Sequence, residues 1–82
     1  MSKIKEDFNN IFKSWINGLN HNDIYHMILY WIQEYIEDVE DIEVKQIMKN
    51  IILRMEKNDE TNDIVEDFIY GDLYKKIRDV YY

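Results

Sequence analysis

An all-α fold, a small bundle of four to five helices, is what this sequence predicts, and three observations carry it. Proline is absent and glycine occurs only at Gly18 and Gly71, so few backbone positions resist a helix. Apolar residues recur at spacings of three and four, the period of a helix with one buried face. Strict polar–apolar alternation, the mark of a half-buried strand, does not run over any useful length. With 82 residues the chain is read as one helical domain spanning 1–82. That is near the size at which one core supplies only a few kcal/mol of net stability.

The first helix is expected over Lys3 to Asn17, with Ser2 placed to cap it and Ile4, Phe8, Ile11, Phe12, Trp15 and Ile16 on one stripe. Gly18 fits the left-handed residue just past its end. Asn17 to Asn22 is a polar connector, and Asn22 or Asp23 can cap the next helix. The second helix is expected over Asp23 to Asp38, with Ile24, Ile28, Trp31, Ile32, Tyr35 and Val39 as its stripe. Tyr25, Leu29 and Ile36 widen that stripe, and Met27 and Tyr30 lie farther round. A helix this apolar is either central in its domain or shared with a second chain, which leaves a homodimer open.

A break between Asp38 and Asp41 is favoured over one continuous helix from Asp23 to Lys57, because two short helices can pack within a monomer. Asp38 or Asp41 would then cap a third helix carrying Val44, Ile47, Met48, Ile51, Ile52 and Met55. Asn58 to Asn62 reads as a polar loop. A short helix with Ile64, Val65, Phe68 and Ile69 comes after it, with Asp63 and Glu66 at capping-box spacing. Gly71 ends it, Asp72 can cap again, and Leu73, Tyr74, Ile77, Val80 and Tyr81 form a last turn or two. No internal repeat is visible in the letters.

Charge narrows the function. Seventeen acids against ten bases leave a net charge of −7. Direct nucleic-acid binding needs clustered Lys and Arg, and Lys75-Lys76-Ile77-Arg78 is the one tight basic group. An acidic surface suits a basic protein partner or imitation of a phosphate backbone. Without cysteine there is no disulfide framework, and two histidines alone make a structural zinc site a poor fit. The N-terminal stretch is amphipathic, unlike a signal peptide, and the apolar run Ile24 to Ile32 is too short to span a bilayer. The expected location is the cytoplasm.

Catalytic material is scarce. His21 and His26 are five apart, where joint ligation on one helix wants three or four; His21 is expected in a loop and His26 at a helix rim. Besides tyrosine, the hydroxyls are Ser2, Ser14 and Thr61, too few for an acyl-transfer triad. Asp59 to Tyr70 fails as a calcium loop, since Ile64 stands where glycine is needed and Tyr70 where a bidentate glutamate belongs. An enzyme, a cofactor and a bound metal are therefore not expected. What remains is protein binding. Glu34, Glu37, Asp38 and Asp41 are spaced to share one ridge of a continuous helix, readable as a solvated face, as a docking ridge for a basic partner or, least favoured for want of matching histidines, as a divalent-metal or catalytic carboxylate cluster. Tyr30 and Met27, on the least core-like side of the second helix, with Trp31 beside them, are the expected contact residues.

The opening Met1-Ser2-Lys3-Ile4-Lys5-Glu6-Asp7-Phe8, the length and the all-helical character resemble the lysis-inhibition accessory proteins of T-even bacteriophages, which are cytoplasmic antiholins. The resemblance implies a protein of the host cytoplasm that binds the soluble segment of the phage holin, hinders assembly of its membrane lesion and delays lysis. It assigns no individual residue. The alternative expectation from charge is an acidic DNA mimic or an immunity-type inhibitor of a basic host protein.

Overall fold

A computed structural model describes residues 3–81, without the side chains of Val80 and Tyr81, and shows five helices. They are α1 (Lys3–Ile16), α2 (His21–Tyr35), α3 (Ile42–Glu56), α4 (Thr61–Tyr70) and α5 (Leu73–Tyr81). Ser2, the expected cap of α1, lies outside the described residues, as do the side chains of Val80 and Tyr81 and all of Tyr82.

Each boundary has a local cause. Gly18 takes φ 91°, which lets its N–H bond the Trp15 carbonyl at 3.1 Å and the Leu19 N–H bond that of Ser14 at 3.0 Å. This is a Schellman closure, and it satisfies two carbonyls that the end of α1 would otherwise expose. The cap of α2 is Asn20, two residues before the expected Asn22 or Asp23. Its Oδ1 accepts the Asp23 N–H at 2.9 Å, and its Nδ2 donates to the Asp23 carboxylate at 3.1 Å.

The helix beginning at His21 stops at Tyr35, three residues sooner than expected, and α3 does not start until Ile42. Between them Val39 turns inward to 3 % exposure while Glu37, Asp38 and Glu40 stay outside. Asp41 then caps α3, accepting the Val44 N–H at 2.9 Å. A continuous helix would have crowded carboxylates at spacings of three and four, at a few tenths of a kcal/mol per pair. At α4 the capping expectation fails: Glu60 holds the N-cap position without a side-chain bond, and Asp63 lies inside the helix. Gly71 is the C-cap of α4, in extended backbone, and glycine is required there because a Cβ would stand 2.2 Å from the Asp67 carbonyl oxygen.

All five helices contribute to the core, and its aromatic centre lies where α1, α2 and α4 meet. The Phe8 ring centroid lies 5.1 Å from that of Trp31 and 5.4 Å from that of Phe68, both tilted, and Trp31 meets Phe68 edge-on at 5.8 Å. The isoleucines Ile24, Ile28, Ile32 and Ile77 are fully covered around it. Each such side chain contributes about 1.5–3 kcal/mol by leaving water. The Trp31 indole N–H donates to the Ile4 carbonyl at 2.9 Å, so its one polar atom is satisfied inside.

The structure also shows a repeat that the letters hide. With residues 3–30 laid on residues 43–70, an offset of forty, α1–α2 and α3–α4 become two versions of one helical hairpin. Gly18 falls on Asn58, and these are the left-handed residues among those described, at φ 91° and 60°. The second turn repeats the bonding of the first: Asn58 N–H to Met55 at 3.2 Å and Asp59 N–H to Arg54 at 3.1 Å. Ile4, Phe8, Ile11, Ile24 and Ile28 fall on Val44, Met48, Ile51, Ile64 and Phe68, and all ten are buried. Only seven of the 28 aligned positions are identical, so exchange among apolar types conceals the pattern.

Candidate interaction grooves

Of the large apolar side chains exposed among the described residues, Ile16, Tyr30, Tyr70 and Tyr74 lie on two grooves, while Leu19, Ile42 and Leu53 lie outside them. The first, about 390 Å³, runs between α1 and α2. Ile11, Met27 and Trp31 make its floor, Tyr30 stands on its edge, and Asp7, Glu34 and Tyr35 close one end, with Lys3 also on its wall. The second, about 530 Å³, lies between α1, the end of α4 and the start of α5. Phe12, Ile16, Ile69, Tyr70 and Tyr74 line it, with Lys13 at its rim.

Of the expected contact residues, Met27, Tyr30, Trp31 and Glu34 converge on the first groove. Their exposures differ: Tyr30 is 67 % exposed, Met27 half-buried and Trp31 only 3 % exposed. Trp31 is thus corrected from a surface contact to a core residue that floors the groove. Its ring is held by Phe8, Phe68 and the Ile4 carbonyl. The excess apolar circumference of α2 is mostly absorbed internally, and Tyr30 is its chief remainder.

Glu37, Asp38 and Asp41 do not share a ridge with Glu34, because the helix that would align them ends at Tyr35. Asp41 is engaged as a cap, while Glu37 and Asp38 sit on the exposed α2–α3 connection. Among the described residues, the ion pairs Arg54–Asp59, Arg54–Asp67, Lys76–Glu43 and Arg78–Asp79 use none of the carboxylates from Glu34 to Asp41. The last turn of α2 has no basic residue to offset the negative end of the helix dipole. Negative potential therefore gathers where the first groove meets the α2–α3 connection. Tyr35 registers it: its hydroxyl donates to Asp7, and that bond, burial and the charges of Asp7, Glu34 and Glu6 push its pKa up to about 12.

Sequence reasoning missed the second groove. Ile16 falls by spacing on the buried stripe of α1, yet it is 73 % exposed; Tyr70 is 72 % exposed and Tyr74 is 41 %. A signal was present, since Ile16 is the final residue of α1 and sits beside the polar Asn17-Gly18 turn, where a core position is poorly covered. Tyr70 meets Trp15 edge-on at 5.5 Å, and Tyr74 meets Phe12 at 5.3 Å, so the groove wall is a fixed aromatic assembly. The charge environments differ as well. The first lining carries Asp7 and Glu34 against Lys3, while the second carries Lys13 and no acid.

His21 is the first residue of α2 and half-buried, not in a loop, and His26 is exposed with its ring against Tyr25. No group of three or more His, Asp or Glu able to hold a metal occurs among the described residues. None of the described helices is long and apolar enough to cross a membrane. No family model matches the chain, and no curated protein or solved structure is significantly similar to it.

Proposed function

We propose that this chain is a non-enzymatic regulator that acts by holding a protein partner in its surface grooves. The observation that carries this reading is the gathering of three exposed large apolar side chains on a single groove. Ile16, Tyr70 and Tyr74 share one groove wall, and such rigid, area-rich side chains are the material of interface hot spots. The mechanism is linkage: a partner form that fits the groove is favoured over one that does not, by the difference in binding free energy.

The resemblance to T-even antiholins supplies a specific candidate, the soluble segment of a holin. Bound there, the segment would be withheld from membrane-lesion assembly and lysis would be delayed. The test is co-purification of the chain with an isolated holin soluble segment, wild type against Ile16→Ser/Tyr70→Ser and Tyr30→Ala. Loss of capture by the first variant, with helicity and unfolding midpoint kept, is expected. Retention of capture by both variants would remove the grooves from the function.

The exposed carboxylates Glu37, Asp38 and Glu40, without an ion pair among the described residues, favour a second reading, an acidic inhibitor of a basic host protein. It requires a complex that weakens steeply between low and moderate salt and disappears when these residues and Asp41 are neutralised together. A salt-insensitive complex excludes it.

A further inference from the structure

The two hairpins carry the same groove, and comparing them indicates what the open one accepts. The groove of the second hairpin, about 280 Å³, is lined by Ile47, Asn50, Ile51, Asp67 and Gly71. At the offset of forty these are Asp7, Asn10, Ile11, Met27 and Trp31, all on the wall of the first groove. In the second hairpin an arginine spans the cleft. Arg54 of α3 reaches Asp67 of α4 and, at 3.2 Å, Asp59 in the turn. Ser14 stands where Arg54 would be in the first hairpin, so no side chain bridges α1 to α2 at that point.

The first groove nevertheless offers carboxylates. Asp7 and Glu34 lie on its wall, with one opposing charge, Lys3, on the same wall. Asp7 already accepts the Tyr35 hydroxyl through Oδ2, which fixes its carboxylate at this end of the groove. Glu37 and Asp38 come directly after the unneutralised C-terminal end of α2. Beside this acidic end lies an apolar seat formed by Met27, Tyr30 and Trp31.

We propose that the groove between α1 and α2 takes an arginine-bearing amphipathic helix of a partner protein, its guanidinium at the Asp7–Glu34 end and an aliphatic side chain on Met27 and Tyr30. Asp59 and Asp67, which hold Arg54, align with Leu19 and Met27; the acidic end of the first groove is therefore a feature of that hairpin alone, and its cation comes with the occupant. This goes beyond the general reading of the chain as a protein binder, on which it rests, by fixing the chemistry of one occupant.

Three synthetic helical peptides test it, each with leucines at spacings of three and four and one flanking position occupied by arginine, norleucine or glutamate. Titration calorimetry at low and moderate salt is the readout. The arginine peptide is expected to bind about tenfold tighter than the norleucine peptide, the scale of one charge-assisted hydrogen bond. The advantage should shrink as salt rises, and Glu34→Gln should diminish it, with Glu34→Gln/Asp7→Asn removing it. Because Glu34 is exposed, the single variant keeps the test valid should loss of the Asp7–Tyr35 bond disturb the fold. Tyr30→Ala should weaken all three peptides alike. Equal binding of the arginine and norleucine peptides, with sensitivity to Tyr30→Ala, overturns the charge assignment and leaves the groove as a binding site. Failure of all three peptides to bind overturns the groove itself. Light scattering that finds a dimer dispersed by Tyr30→Ala gives the groove to a second copy of the chain and overturns the proposal.

Discussion

The first and second hairpins share a turn, a register and five core pairs, yet they present different surfaces. Where the first has Met27 and Trp31 around an open cleft, the second has Asp67 and Gly71 and an arginine across it. The helix leaving the first turn runs on for 15 residues to Tyr35; that leaving the second stops after 10, at Tyr70, and bends into α5 at Gly71. A hairpin plan thus tolerates wholesale change outside its buried positions. Asp67, then Asp59, also hold the Arg54 guanidinium more firmly protonated than usual.

The largest test of this equivalence lies in the core. Ile24 and Ile64 occupy the same place in the two hairpins and are both covered. Ile24→Ala and Ile64→Ala should each cost about 2–5 kcal/mol in denaturant unfolding, with similar values for the two. A marked disparity would break the pairing of the hairpins. Next in size is the position where they diverge most. Gly71→Ala forces a methyl group against the Asp67 carbonyl and should cost about 1–3 kcal/mol, with the loss centred on the α4–α5 junction in hydrogen exchange.

Capping sharpens the contrast further. Asn20→Ala should cost about 1 kcal/mol, whereas Glu60→Ala, which removes no cap bond, should be near neutral and Glu60→Asn stabilising. At the left-handed turns, Asn58→Gly should gain a few tenths of a kcal/mol and Gly18→Ala should lose about 1 kcal/mol.

The smallest effect at neutral pH is that of Tyr35→Phe on the pH dependence of stability. The folded pKa of Tyr35 is raised above its ordinary value of 10.0, so the folded chain holds the proton longer than the unfolded one. Its stabilising contribution is present below pH 10 and is lost as the pH rises through the window from there to about 12. An alkaline unfolding series should steepen there for the wild type and flatten for Tyr35→Phe, with no counterpart from Ile47 at the position equivalent to Asp7.

Local chemistry was readable in the letters and distant partnership was not. Gly18 marked its own turn, the carboxylates around Asp38 to Asp41 marked the break, and the three- and four-residue spacing marked nearly every buried position. Asn20 escaped because the Schellman closure ends at Leu19, which leaves room for a cap two residues sooner than the apolar pattern implies. The burial of Trp31 depends on the Ile4 carbonyl, 27 residues away, and no local pattern announces that partner. The repeat escaped because exchanges such as Phe8 for Met48 and Ile28 for Phe68 keep hydrophobicity while changing shape and letter. The grooves were half legible: side chains on the far side of α2 pointed to Tyr30, but the gathering of Ile16, Tyr70 and Tyr74 required α4 and α5 to be laid beside α1.

The placement of the two indoles divides the molecule optically. Trp31 lies beneath the cleft of the first hairpin with its N–H bonded, and Trp15 lies beside Tyr70 at the edge of the other apolar face. Replacing Trp15 with phenylalanine would leave one emitter under one cleft, a built-in dye whose colour and quenching report what settles above it without any label.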